Sequence, residues 1–90
     1  MPEILTDVKQ RLRISSSSLD SEVLDLIAAA EKDLELAGIT VDVTMPLVKE
    51  AIIIYCKGRF GLDNPDSERY MASYDAIKTH LVLTGGVSIV

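Results

Sequence analysis

Residues 46–60 read PLVKEAIIIYCKGRF. Leu47, Val48, Ala51, Ile52, Ile54, Tyr55 and Cys56 recur at spacings of one, three and four, so as a helix the stretch is apolar over more than half its circumference. A helix of that kind is stable only between other elements, which makes it the centre of a helical bundle. Pro46 suits the first helical position, with Thr44 or Met45 as the cap. Ile53 and Phe60, two turns apart, fall on the remaining side beside Lys49 and Lys57. They form a second apolar strip, with contact across subunits as one explanation.

Upstream, residues 39–44 (ITVDVT) alternate apolar and polar. Six residues of strand period are too few for a sheet alone, so the stretch is an extended connector, with pairing to another subunit as one use. Before it, residues 19–37 form an amphipathic helix on Leu19, Val23, Leu26, Ile27, Ala30, Leu34 and Ala37. Its outer side carries Ser21, Glu22, Asp25, Glu31, Lys32 and Glu35 and is predominantly acidic, and Gly38 stands at the C′ position. The serine run 15–18 ends one helix and caps the next. The first helix, about 3–13, carries Leu5, Val8 and Leu12 on one stripe and Lys9, Arg11 and Arg13 around its C-terminal end, where cations favour the dipole.

Downstream, residues 58–68 (GRFGLDNPDSE) bring several oxygen-bearing side chains together. A calcium loop starting at Asp63 needs an oxygen ligand at its third position and glycine at its sixth, where this chain has Pro65 and Glu68. Punctuation explains the residues better. Gly61 is a C′ glycine, Asn64 an N-cap, Pro65 the first helical residue, and Asp66 and Glu68 favour the dipole of a fourth helix. That helix runs from after Asn64 to about Thr84 on Tyr70, Tyr74, Ile77 and Leu81, and Gly85-Gly86 stop it. The reading is an all-α single domain: a small bundle of about four helices, with an extended connector between the second and third.

Composition bounds the function. Ninety residues make one small domain, for which oligomerisation is a natural source of stability. A net charge of −5 argues against a chain that grips nucleic acid as a whole. One cysteine leaves no disulfide within the chain, and MPEILTDVKQ lacks the apolar core of a signal peptide. No apolar run is long enough to span a bilayer, so the expected setting is a reducing cytoplasm without membrane contact. Cys56 and His80 are the only thiol and imidazole, with no third group to orient the histidine and no zinc spacing. No catalytic, cofactor or metal residue is assigned. A small DNA-binding regulator is the alternative to a contact protein. The link between helices two and three is too long for a helix-turn-helix, and the basic triplet of the first helix is a small footprint for DNA.

The order DVKQRLRIS, EVLDLIAAAEKDLELAGI, PLVKEAIIIYCKGRFG and DNPDSERYMASYDAIKTHL resembles the phage head–tail connector family, whose members are also described as DNA-packaging proteins of phages and prophages. The likeness covers roughly residues 4–83. It implies a non-enzymatic subunit of a dodecameric ring beneath the capsid's portal protein, extending the DNA channel and docking a neck or tail-completion protein. It implies assembly in the host cytoplasm and then residence in the virion neck, with DNA passing through without specific binding. Within that frame, Lys9, Arg11 and Arg13 are expected to meet Glu22 and Asp25 of the next subunit head to tail. Ile53, Phe60 and Leu62 are expected to serve apolar contacts. The final GGVSIV maps to no family motif.

Overall fold

The computed structural model describes residues 3–61 and 64–84. Four helices form: α1 (Glu3–Leu12), α2 (Asp20–Leu36), α3 (Pro46–Arg59) and α4 (Ser67–Thr84), with a 3₁₀ turn (Ser17–Leu19) leading into α2. Among the described residues there is no strand. α3 is the central element and packs against α1, α2 and α4. The core is aliphatic: Val8 from α1, Val23, Ala30 and Leu34 from α2, and Val48, Ala51 and Ile52 from α3 are fully enclosed, and α4 adds Tyr74 and Leu81. No charged or polar residue is buried among those described.

Backbone chemistry sets the helix ends. Ser16 accepts from the Ser18 amide at 3.0 Å and so caps the 3₁₀ turn. After α2, the Ile39 amide donates to the Leu34 carbonyl and the Gly38 amide to Glu35, with Gly38 at φ 88°. This is a Schellman ending, and it folds Ile39 into the core at 3% exposure. α1 ends the same way, Ile14 donating to Lys9 and Arg13 to Gln10, but the left-handed residue is Arg13 at φ 62°. A side chain there costs about 1 kcal/mol that glycine avoids. Arg13→Gly is therefore expected to raise stability by roughly 0.5–1 kcal/mol. A urea titration that finds no gain would show that the Arg13 side chain holds a contact that offsets its strain.

The alternation in 39–44 is real, but it reports the core and not a sheet. Ile39 is buried and Val41 and Val43 pack on the core, while Thr40, Asp42 and Thr44 face out. Asp42 Oδ1 accepts from the Thr44 amide at 3.0 Å and its hydroxyl at 2.6 Å, and the Met45 amide donates to the Asp42 carbonyl. That turn delivers the chain to Met45 and Pro46 at the start of α3.

One placement differs from the sequence expectation in the centre of the fold. Ile53 is 2% exposed and belongs to the core, so it does not lie on an outer strip. Lys49 and Glu50 precede it by one turn, and they are held by Asp7 and Arg11 of α1. α1 therefore lies across the side of α3 that helical periodicity left unassigned. Leu47 differs in the opposite sense: it is 42% exposed, although its spacing placed it on the buried arc.

Candidate functional site

A protein that works by contact is defined by the surface its fold leaves available. α1 contributes less than its basic residues suggest. Lys9 Nζ forms an ion pair at 2.6 Å with Asp20 Oδ1, an oxygen shielded from solvent that accepts no hydrogen bond from the described residues. Arg11 engages Glu50 through both terminal nitrogens, at 3.0 and 2.8 Å. Arg11 first of all holds the Glu50 carboxyl below the ordinary glutamate range by this hydrogen bonding, against the opposing effect of burial. Two of the three cations expected to reach a neighbouring subunit are thus already paired within the chain. Arg13 is exposed just beyond α1.

Glu22 and Asp25 stand where the helical period puts them, exposed on the outer side of α2. Glu35 and the small side chains Ala28 and Ala29 are exposed on the same helix. Phe60 is half-buried and packs on the core, and Leu62 lies outside the described residues, as do residues 85–90. Among the described residues, the large apolar side chains that reach solvent are Leu36 and Leu83, both 78% exposed, with Leu19, Leu47 and Val82.

The corner between α3 and α4 is built by side chains that close helix ends. Asn64 Nδ2 donates to the Lys57 carbonyl and Ser67 Oγ to the Gly58 carbonyl, each at 2.6 Å. These are last-turn carbonyls that α3 cannot satisfy itself. Asn64 Oδ1 also accepts from the Asp66 amide at 3.1 Å, so it caps the turn through Pro65 and Asp66 and not the first turn of α4 itself. Regular α-helix starts later than the proline suggests, at Ser67, after a turn through Pro65 and Asp66. Around this corner four cations lie over tyrosine rings. Lys57 Nζ is 5.0 Å and Arg69 Cζ 5.6 Å from the Tyr70 centroid, Arg59 Cζ is 4.8 Å from Tyr55, and Lys78 Nζ is 5.3 Å from Tyr74. An open hollow of about 280 Å³ lies at the corner, lined by Gly58, Arg59, Gly61, Asn64 and Ser67. Sequence reading passed over this belt, although Tyr55–Arg59 and Tyr74–Lys78 are spaced i, i+4 and so share a helix face.

Tyr74 joins α4 to α2. Its hydroxyl donates to Asp33 Oδ2 at 2.6 Å, Lys78 Nζ lies 3.0 Å from the same oxygen, and its ring meets Tyr55 edge-on at 5.1 Å. The Tyr74 hydrogen bond, with Lys78 second, holds the Asp33 carboxyl below its ordinary range, while burial first and Asp33 second push the Tyr74 phenol up. A depressed carboxylate adds stability above its unfolded pKa, and that stability is lost as pH falls through the folded value. Tyr74→Phe is expected to cost about 1 kcal/mol at neutral pH, with the gap to the native protein narrowing below about pH 4 as Asp33 protonates. Urea titrations at pH 7 and pH 3 check this; a gap of constant size would remove Asp33 as its cause.

Burial pushes the Cys56 thiol up to about 12, so it stays protonated at neutral pH. Cys56 is buried in α3, whereas His80 is exposed on α4. Among the described residues no group of three or more His, Cys, Asp or Glu could hold a metal ion, and no helix is long and apolar enough to cross a membrane.

The sequence model of the family described as phage connector protein matches residues 4–88, nearly the whole chain. No curated protein and no solved structure matches.

Proposed function

The chain belongs to the phage connector family, and from that membership we propose that it is a virion component that assembles as a ring beneath the portal protein. The family match over residues 4–88 carries the reading. A connector is a structural part of the particle that joins head and tail components. The finer reading is that a dodecameric ring continues the DNA channel below the portal and docks a neck or tail-completion protein. The subunit would assemble in the host cytoplasm and then reside at the virion neck.

The physical properties of the subunit support this. Its net charge of −5 lets a polyanion pass without being gripped. A core with no buried charged residue among those described, and an α3 end closed by Asn64 and Ser67, suit a part that makes a repeated contact. The rival reading, a helix-turn-helix regulator with α3 as its recognition helix, finds little support. Residues 37–45 separate α2 from α3, well beyond a three- or four-residue turn, and α3 is enclosed from Val48 to Cys56 on most of its faces.

Native mass spectrometry of the protein alone and with its portal tests the proposal. The expected result is a closed oligomer, formed by the chain alone or on the portal. A strict monomer at high concentration that also fails to bind portal would overturn it.

A further inference from the structure

If the subunits form a ring, two different surfaces of one subunit must fit each other, because a head-to-tail contact uses unlike faces. We propose that the acidic outer face of α2 on one subunit docks on the cation–tyrosine belt of the α3–α4 corner of the next. This inference rests on the ring reading and names its contact.

Ion pairing and ring contacts together mark these two surfaces. Lys9, Arg11, Lys49, Arg69 and Lys78 each have a carboxylate of the same chain within 3.3 Å. Arg13, Lys32, Lys57 and Arg59 have no such partner among the described residues, and of these four only Lys57 and Arg59 lie against tyrosine rings, those of Tyr70 and Tyr55. Arg59 also lines the hollow, next to Asn64 and Ser67. A guanidinium backed by an aromatic ring is held in place, so little side-chain freedom remains to be lost on binding a carboxylate. On α2, Glu22, Asp25 and Glu35 are exposed and likewise without an ion pair among the described residues, three carboxylates beside the single exposed cation Lys32. Ala28 and Ala29 on that helix let a neighbour approach closely.

A second copy fits this belt better than nucleic acid does. Among the described residues the four cations without an ion pair are spread over the end of α1, α2 and α3, too dispersed for more than a shallow salt dependence on a duplex, and the chain's net charge opposes it. Every subunit brings the complementary acids in the same number of copies as the belt. Lys57 and Arg59 replace the α1 cations in the head-to-tail pairing expected from sequence, because Lys9 and Arg11 already serve the fold.

Charge exchange tests the contact. One variant carries Glu22→Lys with Asp25→Lys, and the other Lys57→Glu with Arg59→Glu. Sedimentation and native mass spectrometry at low and high salt, alone and with portal, read the association. Circular dichroism confirms folding; Lys57→Gln with Arg59→Gln is the milder second form, since a glutamate at 59 would approach Asp33, which Arg59 now helps to hold ionised. Native protein should associate less as salt rises. Each variant should associate at least tenfold more weakly than native. An equimolar mixture should recover association in assemblies of even number, because the two kinds must alternate. Variants that associate as well as the native chain, or a mixture that stays monomeric, overturn the docking while leaving the ring intact. A native chain that stays monomeric with and without portal overturns both.

Discussion

Ile53→Asp is expected to leave the subunit unfolded at room temperature. Ile53 is 2% exposed in a core that holds no polar residue among those described, so the aspartate would find no partner for its charge. Burying an unpaired carboxylate, or protonating it to avoid doing so, costs about 4 kcal/mol or more. A domain of this size has only about 5 kcal/mol or slightly more to lose. Far-UV circular dichroism and a thermal melt settle the matter. The conservative Ile53→Val, which removes one methylene, should stay folded and lose about 1 kcal/mol. A folded Ile53→Asp that merely fails to assemble would restore Ile53 to the outer surface and remove α1 from that side of α3.

Gly58→Val carries the second large effect. A Cβ at Gly58 would stand 2.8 Å from Met71 Sδ and 3.2 Å from Tyr70 Cβ. The methionine tip can swing away, but Tyr70 Cβ is fixed to the α4 backbone. The branched valine adds two more carbons to that contact and forces α3 and α4 apart. Separation also strains the 2.6 Å bond from Ser67 to the Gly58 carbonyl. The expected loss is about 2–3 kcal/mol. Gly58→Ala should be far milder, because the gain in helix propensity of about 1 kcal/mol offsets much of the crowding. Adding Met71→Ala to Gly58→Val should recover part of the loss in a double-mutant cycle. If the two changes proved strictly additive, the close approach at Gly58 would not be the cause.

These two positions mark where sequence reading reached its end. Gly58 is an unremarked glycine inside a helix, and nothing near it in the chain announces that Tyr70 and Met71 will lie against it. Ile53 has the apolar character of a core residue, yet the helical period placed it among lysines. The ends of elements were far more legible. Gly38 and Gly61 take the positive φ of 88° that their C′ positions require, Pro46 opens α3, and Asn64 caps the turn into α4. Each of those depends on the conformational range or hydrogen bonding of one residue and its near neighbours. Arg13 is the exception, since an arginine gives no sign that it will adopt a glycine conformation.

The contact surface divides along the same line. That α2 has an acidic outer face with Glu22 and Asp25 follows from period and composition alone. That Lys9 and Arg11 are already paired does not, because Arg11 meets a glutamate 39 residues away. With Lys9 and Arg11 engaged by Asp20 and Glu50, the cations without an ion pair among the described residues are Arg13, Lys32, Lys57 and Arg59.

By itself, then, the sequence determined the helical class, the four segments and their breaks, the central rank of residues 46–60 and the connector family. These rest on spacings of three and four and on caps, which act within a turn or two of chain. Tertiary structure alone decided that α1 covers Ile53, that α4 approaches α3 at Gly58, and which charges remain for a neighbour. Those outcomes depend on how helices far apart in sequence lie against each other, and a period of 3.6 residues carries no record of what a face will meet.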